Sequence, residues 1–311
     1  MTAPVLKPDH DAIERAAACL ADGGLVAMPT ETVYGLAGDA TNPQAVARIY
    51  RVKERPVFNP LIAHLASIEA AFEQGDFSDK AQALAHRFWP GPLTLVVNAT
   101  DQTTVCDLAR AGLGTLAVRV PAHPVANALL QTVGRPLVAP SANPSGRISP
   151  TSAAHVAADL GDKIDFILDG GDCSEGLEST VIDARADTPV LLRSGTLGPD
   201  DIASVWPGLT RGGEAGAPIS PGQLLRHYAP DARLRLNADA PESGEAYLGF
   251  GPGEATLNLS SSGNLAEAAA NLFSMLRRLD QSHDRIAVAP IPETGLGLAI
   301  NDRLERAANR D

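Results

Sequence analysis

The sequence has few cysteines, no long apolar run and fewer basic than acidic residues. Its three cysteines, Cys19, Cys106 and Cys173, lie far apart, so neither a disulfide framework nor a CxxC zinc site is expected. The seven histidines form no HxxxH or HExxH pattern, and we predict no protein-held metal. No run reaches about 18 apolar residues, and the N-terminus lacks a signal-peptide core. We therefore expect a cytoplasmic protein with no membrane partner.

The charge balance argues against general binding to polyanions. Asp and Glu total 37, Lys and Arg total 25, and the formal net charge is −12. Such a chain as a whole repels nucleic acids and anionic membranes, although a local basic site can still bind an anion. At roughly 150 residues per domain, the 311 residues predict two domains or one large one.

Hydrophobic periodicity predicts alternating helices and strands in the first two thirds of the chain. Helices are expected over residues 11–21, 42–53, 78–88, 125–133 and 151–160. Strands are expected over residues 25–28, 61–64, 93–97, 116–120, 137–139, 166–168, 180–183 and 190–193. Asp11 and Glu14 have the spacing of a capping box for the first helix. The alternation predicts an α/β fold.

A stretch rich in glycine and proline interrupts this pattern after residue 206. It has no periodic apolar face, so we predict an interdomain linker or lid over residues 207–233. Its ending, SPGQLLRHYAP, combines a Tyr, a His and an Arg, which a plain spacer does not need. Strands then follow over 234–236, 246–250, 256–259 and 285–289, and a helix over 264–280 is capped by Asn264 with Glu267. We predict domains at residues 1–206 and 234–311.

Three polar loops follow strands or a helix and are candidate ligand sites, each with a simpler explanation. PTETVYGL at 29–36 could bind a ligand, or its hydroxyls could only satisfy a turn. KERP at 53–56 suits an anion, but its cations could instead satisfy the dipole of the preceding helix. APSANPSG at 139–146 allows a close approach to backbone N–H groups, whereas Ser149 or Thr151 could only cap the next helix.

Single charged residues at strand ends are equally ambiguous from local pattern. Arg119 and Arg193 each end a strand, where a guanidinium is either solvated or binds a carboxylate or phosphate. His64 ends another strand and, taken alone, is more typical of a structural histidine. Glu178 indicates nothing by itself. GFGPG at 249–253 resembles half of a dinucleotide fingerprint, but its spacing to the next helix does not match, and no dinucleotide is expected.

Together these segments resemble the YrdC-like family. In that family's order, residues 23–195 contain PTETVYGL, KERP with NPLIAH, WPGPLTLV, TLAVRVPAHP, APSANPSG with SPT, GLESTVID and LLRSG. The linker ending and GLGLAINDRLERAA at 295–308 are similar to the long form, which carries a Sua-type C-terminal domain. The resemblance implies a twisted mixed α/β sheet around a concave, positively lined cavity, plus a smaller Rossmann-like α/β domain.

The resemblance also implies a reaction. Through the long form, the chain resembles L-threonylcarbamoyladenylate synthases, which are nucleotidyltransferases. They convert L-threonine, bicarbonate and ATP into threonylcarbamoyl-adenylate and pyrophosphate. A separate tRNA threonylcarbamoyl-transferase complex then modifies the adenosine beside the anticodon. Magnesium is expected to accompany ATP, with no protein ligand identified, and direct tRNA binding is left open.

Site residues follow from the resemblance, position by position. The implied L-threonine site comprises Thr30, His64, Arg119 and Thr180. The implied ATP site comprises Lys53, Arg55, Asn59, Thr115, Ser141, Asn143, Ser149, Arg193 and Tyr228. Lys53 and Arg55 would act catalytically, because cations offset the charge of the phosphates and of leaving pyrophosphate. Tyr228 would fold over the nucleotide and exclude water.

Two other functions are weighed against this one. The chain could be an RNA-binding module without ATP turnover, which the acidic balance disfavours for strong nonspecific binding. It could also be a carbamoyl-transfer domain like that of hydrogenase-maturation proteins. The chain lacks the CxxC zinc elements expected of those proteins, so this reading ranks third.

Overall fold

In the computed structural model, residues 2–212 and 227–309 are described, and they contain two sheets and nine helices. The first sheet is built from β1 Val5–Leu6, β2 Val26–Met28, β3 Gly35–Asp39, β4 Ile62–His64, β5 Gly75–Asp76, β6 Leu93–Ala99, β7 Thr115–Arg119, β8 Leu137–Val138, β9 Phe166–Leu168, β10 Thr180–Asp183, β11 Val190–Arg193 and β12 Thr210–Arg211. The second sheet contains β13 Arg233–Arg235, β14 Ala246–Gly249, β15 Leu257–Asn258 and β16 Arg285–Val288.

Helices cover the first sheet and complete the second unit. The first unit contains α1 His10–Ala21, α2 Pro43–Lys53, α3 Ile68–Phe72, α4 Asp79–Phe88, α5 Pro124–Val133, α6 Ala153–Leu160 and α7 Pro199–Val205. The second contains α8 Leu265–Asp280 and α9 Gly297–Ala308. In the described part of the chain, every helix is too short or too polar to cross a lipid bilayer.

The first sheet is mixed, with strand order β1-β9-β2-β3-β8-β4-β7-β6-β10-β11-β12 and β5 paired to β6. Strands β4 and β7 run parallel, with His64 opposite Arg119 where both strands end. Strand β10 begins at Thr180 opposite Leu93 of β6, and Arg193 at the end of β11 pairs with the next residue of β10. The pairing therefore brings four candidate residues, one from each of β4, β7, β10 and β11, to one end of the sheet.

The second sheet is entirely parallel, with strand order β13-β16-β14-β15. Helix α8 buries Leu272, Phe273 and Leu276 in the apolar core of this unit. Strands joined through a helix into a parallel sheet are the expected Rossmann-like arrangement. The fold class predicted from the sequence is therefore confirmed: a large twisted mixed sheet with a smaller α/β unit.

Most of the predicted elements are present, with ends shifted by one or two residues. The predicted capping box of α1 is wrong, and the helix cap considered as the simpler role of Ser149 or Thr151 is not formed. Asp9 caps α1 by accepting from the Ala12 backbone N–H at 2.9 Å, so Asp11 lies inside the helix and forms no capping box. Ser152 caps α6, rather than Ser149 or Thr151, because its side chain accepts from the N–H of His155.

Several elements were not predicted. Strand β3 begins inside the PTETVYGL loop, α7 is only seven residues long, and α9 begins at Gly297, which has a low helix propensity. Strand β12 pairs with β11 within the segment predicted as a linker. Residues 213–226 of that segment, which include most of SPGQLLRHYAP, lie outside the described residues. The proposed domain boundaries stay a prediction.

Candidate functional site

A narrow cavity of about 50 Å³ lies over the first sheet and collects many of the candidate residues. Ile62 and His64 both line it, and because they are two residues apart on β4 they point to the same face of the sheet. The predicted site residues in its wall are Arg55, His64, Arg119, Ser141, Arg193 and Tyr228. Polar residues that the sequence did not single out as ligands also line it, namely Thr32, Glu178, Ser179 and His227.

Arg119 is held by three acceptors. Its Nη2 donates to Glu31 Oε1 at 2.6 Å, its Nη1 to Thr32 Oγ1 at 3.0 Å and its Nε to the Gly91 carbonyl at 3.2 Å. The other oxygen of Glu31 accepts from the Ala122 N–H at 3.0 Å. Burial would raise the pKa of Glu31, but the charge and hydrogen bond of Arg119 outweigh burial and lower it. The pair is therefore ionised, and Arg119 keeps two further N–H groups for a ligand.

Thr30 and Thr180 lie near this wall but do not line the cavity. The Thr30 hydroxyl donates to the Val33 carbonyl at 2.6 Å and lies 2.9 Å from the hydroxyl of Thr32, so it organises the turn. The Thr180 hydroxyl donates to the Leu197 carbonyl at 2.7 Å. Both hydroxyls are engaged locally, whereas Glu31 and Thr32 of the first loop contact Arg119 directly.

His64 is a neutral acceptor in the cavity. Its Nδ1 lies 3.2 Å from the Ile62 carbonyl, and because a carbonyl only accepts, Nδ1 carries the proton and Nε2 is left as an acceptor. Burial lowers the pKa of His64 to about 3, with a further contribution from the charge of Arg119. The imidazole is therefore uncharged at neutral pH.

The end of α2 places two cationic residues, Lys53 and Arg55, near the cavity. Asn42 caps this helix, Pro43 occupies its first turn, and the chain reverses at Glu54, which adopts the left-handed region with φ 54°. The reversal directs Arg55 into the cavity, where its Nε donates to the Asn59 carbonyl at 3.1 Å and its Nη2 to the Pro60 carbonyl at 2.9 Å. Burial lowers the pKa of Arg55 to about 10.

Lys53 lies behind the cavity wall rather than in it. Its Nζ donates to the Ser141 carbonyl at 2.6 Å and also to the Asn143 carbonyl, and burial with the charge of Arg55 lowers its pKa. The Asn143 amide in turn donates to the Arg147 carbonyl at 2.8 Å. Lys53 therefore fastens α2 to the loop that presents Ser141.

Of the remaining predicted ATP residues, Asn59 and Thr115 do not line the cavity wall. The Asn59 carbonyl accepts from Arg55, whereas Thr115 begins β7 and pairs with Asn98 of β6. Asn59 is buried, and its Oδ1 has no partner among the described residues. The predicted site residues that do not line the cavity are Thr30, Lys53, Asn59, Thr115, Asn143, Ser149 and Thr180.

The opposite wall is built around Glu178, which local pattern did not reveal. Its Oε1 accepts from Ser149 Oγ at 2.5 Å, and its Oε2 accepts from Arg303 Nε of α9 at 2.9 Å. Burial would raise the pKa of Glu178, but the charges of Arg303 and Arg193 and the Ser149 hydrogen bond lower it to about 2. Arg193 donates from Nε to the Ser179 carbonyl and from Nη2 to Ser179 Oγ, both at 3.0 Å.

A glycine makes this wall possible. A Cβ on Gly195 would lie 2.3 Å from the Thr180 backbone nitrogen and 2.5 Å from the Glu178 carbonyl, closer than non-bonded atoms allow. The glycine of LLRSG therefore lets the chain after β11 pass directly against the strand that carries Glu178.

The end of the predicted linker closes the cavity. Tyr228 is 1% exposed, adopts the left-handed region with φ 63°, and stacks on Phe273 of α8 with ring centroids 5.4 Å apart. Burial raises the pKa of Tyr228 above its usual range and lowers that of the adjacent His227 to about 3. The N–H of Ala229 donates to the Gly146 carbonyl at 2.8 Å. This segment is therefore packed between the cavity and the second unit.

The charges around the cavity leave a site for an anion. Arg119 is balanced by Glu31 and Glu178 by Arg303, whereas the described residues place no carboxylate in contact with Arg55 or Arg193. Two unbalanced guanidiniums in a buried cavity favour phosphate or carboxylate groups. Within residues 2–212 and 227–309, no three His, Cys, Asp or Glu side chains come together as a set that could hold a metal ion.

Comparisons with known proteins extend this description to nearly the whole chain. A family model described as telomere recombination, covering Sua5, YciO and YrdC proteins, matches residues 18–195. A second, described as the C-terminal domain of threonylcarbamoyl-AMP synthase, matches residues 197–309. A threonylcarbamoyl-AMP synthase of Bacillus subtilis is 40% identical, with 97% of this chain and 94% of that protein covered.

Two further similarities define the extent of the relationship. The crystal structure of Pyrococcus abyssi Sua5 complexed with L-threonine has a TM-score of 0.89 and 40% identity, covering 96% of this chain and 95% of that one. A threonylcarbamoyl-AMP synthase of Vibrio parahaemolyticus is 33% identical, but all of it aligns with only 60% of this chain. The chain therefore belongs to the Sua5/YciO/YrdC family, in the long form that carries the threonylcarbamoyl-AMP synthase C-terminal domain.

Proposed function

We propose that this protein is an L-threonylcarbamoyladenylate synthase, which makes threonylcarbamoyl-adenylate and pyrophosphate from L-threonine, bicarbonate and ATP. The observation that carries the proposal is the pair of guanidiniums without carboxylate partners, Arg55 and Arg193, in the same cavity as Arg119 and His64. A triphosphate and an amino acid need such neighbouring anion sites. The family membership supports the same reaction.

The chemistry asks for positioning and charge stabilisation. The threonine amine attacks bicarbonate, water leaves, and a carbamate forms. A carbamate oxygen then attacks the α-phosphorus, and the bond to the bridging oxygen breaks as pyrophosphate departs. No protein nucleophile is required, because the carbamate supplies the attacking oxygen. Arg55 and Arg193 would stabilise charge on the phosphates. Lys53 would join them when a phosphate oxygen, a stronger acceptor, replaces one of its carbonyl partners.

On the other wall, we assign the carboxylate of L-threonine to the two free N–H groups of Arg119. The unprotonated Nε2 of His64 would accept a hydrogen bond from the substrate. Thr30 and Thr180 would contribute mainly by holding the loops, since their hydroxyls already donate to Val33 and Leu197. Asn59, Thr115, Ser141, Asn143 and Ser149 complete the proposed ATP site by shaping the loops around Arg55 and Glu178.

Magnesium is proposed to enter with the phosphates of ATP. Among the described residues, Glu178 is the acidic side chain that lines the cavity, and Glu31 contacts the cavity-lining Arg119; each already accepts from an arginine. The residues therefore do not fit a protein-held divalent ion, and no step is assigned to protein ligands of the metal.

Tyr228 is proposed to cover the bound nucleotide. The cavity of about 50 Å³ is far smaller than ligand pockets of roughly 300–1,000 Å³, so the segment around Tyr228 must shift when ATP enters. Enclosure then protects the labile carbamate and adenylate from water. We further propose that the protein acts in the cytoplasm and passes its product to a tRNA threonylcarbamoyl-transferase complex.

The deciding experiment is mass spectrometry of the reaction mixture after incubation with L-threonine, bicarbonate and ATP. We expect threonylcarbamoyl-adenylate with an equal amount of pyrophosphate, and no product when any one substrate is omitted. Arg55→Ala should strongly reduce product, while Arg185→Ala serves as the control, because Arg185 pairs with Asp183 away from the cavity. Salt-sensitive tRNA binding without adenylate formation would instead favour an RNA-binding module.

A further inference from the structure

One arginine of the second unit reaches the active cavity of the first. Arg303 lies on α9, its side chain is 0% exposed, and its Nε donates to Glu178 Oε2 at 2.9 Å across 125 residues of sequence. Its Nη1 pairs with Asp302 at 2.5 Å, and its Cζ lies 5.2 Å from the centroid of the Tyr228 ring. The same guanidinium therefore contacts two components of the cavity wall.

The units approach each other closely at this point. Gly176 has φ 72°, and a Cβ there would lie 2.6 Å from the Ala269 carbonyl of α8, so the loop before Glu178 passes directly against the second unit. Arg277 of α8 binds Asp159 through both oxygens and donates to the carbonyls of Ile148 and Ser149. The second unit therefore contacts both the loop that carries Glu178 and the loop that carries Ser149.

The arrangement differs from an ion pair that serves stability alone. Arg303 keeps Nη2 without a partner among the described residues, although the atom is buried. Buried unpartnered donors are rare and call for an explanation other than optimal packing. Glu178 lines a cavity that receives anions, where an unbalanced carboxylate would repel the substrates and attract Arg193.

We propose that Arg303 is a positioning residue for the synthase reaction: it neutralises Glu178 and supports Tyr228, so that Arg193 faces the phosphates. The second unit thereby completes the active site through one side chain. This inference rests on the proposed function, because the phosphates are those of ATP. It differs from a purely structural role in predicting that the need for Arg303 depends on the charge of Glu178.

The charge dependence gives a signature in pH. Removing Arg303 takes away the largest influence that lowers the pKa of Glu178, so this pKa rises relative to the wild type, although Arg193, Ser149 and His227 still lower it. The carboxyl is then neutral at low pH and ionised at high pH, where it competes with ATP for Arg193. The groups facing it are Arg193 on β11, Ser149, and His227 and Tyr228 in the closing segment. None of them changes charge between about pH 6 and pH 9, since burial moves the pKa of His227 to about 3 and that of Tyr228 upward.

The test is a mutant cycle on the full chain, comparing Arg303→Met, Glu178→Gln and the double variant, with KM for ATP and ATP binding by calorimetry. We expect Arg303→Met to raise KM at least about tenfold at pH 8 and less at pH 6, relative to wild type. In the Glu178→Gln background, the same change should alter KM less than about threefold, because no carboxylate is left to neutralise. The matched control is Arg277→Met, which removes an interface arginine of the same type but should not create a pH-dependent KM.

The outcomes separate this inference from its alternatives. Either of two results would show that Arg303 only holds the units together. One is that Arg303→Met raises KM for ATP by the same factor in the wild-type and Glu178→Gln backgrounds, and the other is that it shows the same pH profile as Arg277→Met. If Arg303→Met does not fold, Arg303→Lys keeps the charge, and the double variant removes both charges. A wild-type protein that binds ATP but forms no adenylate would overturn the proposed function. If Arg303→Met still weakened ATP binding in the protein that keeps Glu178, but not in the Glu178→Gln background, the positioning role would be supported even without adenylate formation.

Discussion

Two arginine–carboxylate pairs lie at the cavity and differ in which partner lines it. Arg119 pairs with Glu31 and itself lines the cavity, with N–H groups to spare for a ligand. Arg303 pairs with Glu178, but there it is the carboxylate that lines the cavity, while the arginine lies behind it. In the proposed mechanism, the same chemical pair would bind substrate at one place in the cavity and neutralise a carboxylate at the other.

The two pairs also differ in the units that they connect. The pair of Glu31 and Arg119 lies within the first unit, whereas the pair of Glu178 and Arg303 crosses from the first unit to the second. Because Glu178 and Arg303 belong to different units, the charge balance at Glu178 depends on the contact between the units.

The largest effect is expected from removing Arg119. Arg119→Met should lower kcat/KM for threonine by about a hundredfold or more, because charge-assisted hydrogen bonds contribute roughly 1.5–3 kcal/mol each. It should also lower the free energy of unfolding by about 3–5 kcal/mol, since Glu31 is left as an unpaired buried carboxylate. Adding Glu31→Gln should restore most of the stability but none of the activity. Recovery of threonine turnover in the double variant would contradict direct substrate binding by Arg119.

Next in size is the loss of the guanidinium of Arg55. Arg55→Ala should raise KM for ATP about tenfold to a hundredfold, because a charge-assisted contact to phosphate is lost. Its KM for threonine should change much less, which separates the two walls. Steady-state kinetics with each substrate varied in turn would measure both values. Equal changes in the two constants would mean that Arg55 supports the whole cavity rather than the phosphates.

Low pH should lower the free energy of unfolding through the protonation of Glu178. Its pKa is lowered from 4.5 to about 2 in the folded protein, so its pairing stabilises the fold above its ordinary pKa and is lost as pH falls toward about 2. The contribution is about 3 kcal/mol, taking ~1.4 kcal/mol per pKa unit. Glu178→Gln should be less stable at neutral pH but lose less stability between about pH 5 and pH 2. Denaturant unfolding across that range would show parallel curves if the pair contributed nothing.

The smallest effect is expected at an exposed pair between the same two units. Arg147 and Asp231 form an ion pair with side chains 47% and 76% exposed. Exposed pairs contribute about 0–1 kcal/mol, so Arg147→Ala should leave the unfolding free energy within that range and the kinetics unchanged. A larger effect of Arg303→Met than of Arg147→Ala would then be due to the burial of Arg303 and its contact with Glu178, not simply to its position between the units.

Much of the fold followed from local pattern. Apolar runs bounded by glycine and proline identified strands such as residues 166–168, 180–183 and 190–193 with their observed ends. Strand β3 was not found, because Gly35 and Gly38 lower its strand propensity although every residue in it is buried. The first cap was misplaced because Asp9 and Asp11 are both good capping residues, and only backbone geometry selects between them.

The sequence by itself determined the candidate ligands through its resemblance to the YrdC-like family. Local pattern placed His64, Arg119 and Arg193 at strand ends but left a structural role equally open. Only the tertiary structure decided which charges are neutralised, because Glu31 and Arg119 are 88 residues apart and Glu178 and Arg303 are 125 apart. Local propensity acts over a few residues, whereas the pairing of buried charges depends on which strands and helices the fold brings together.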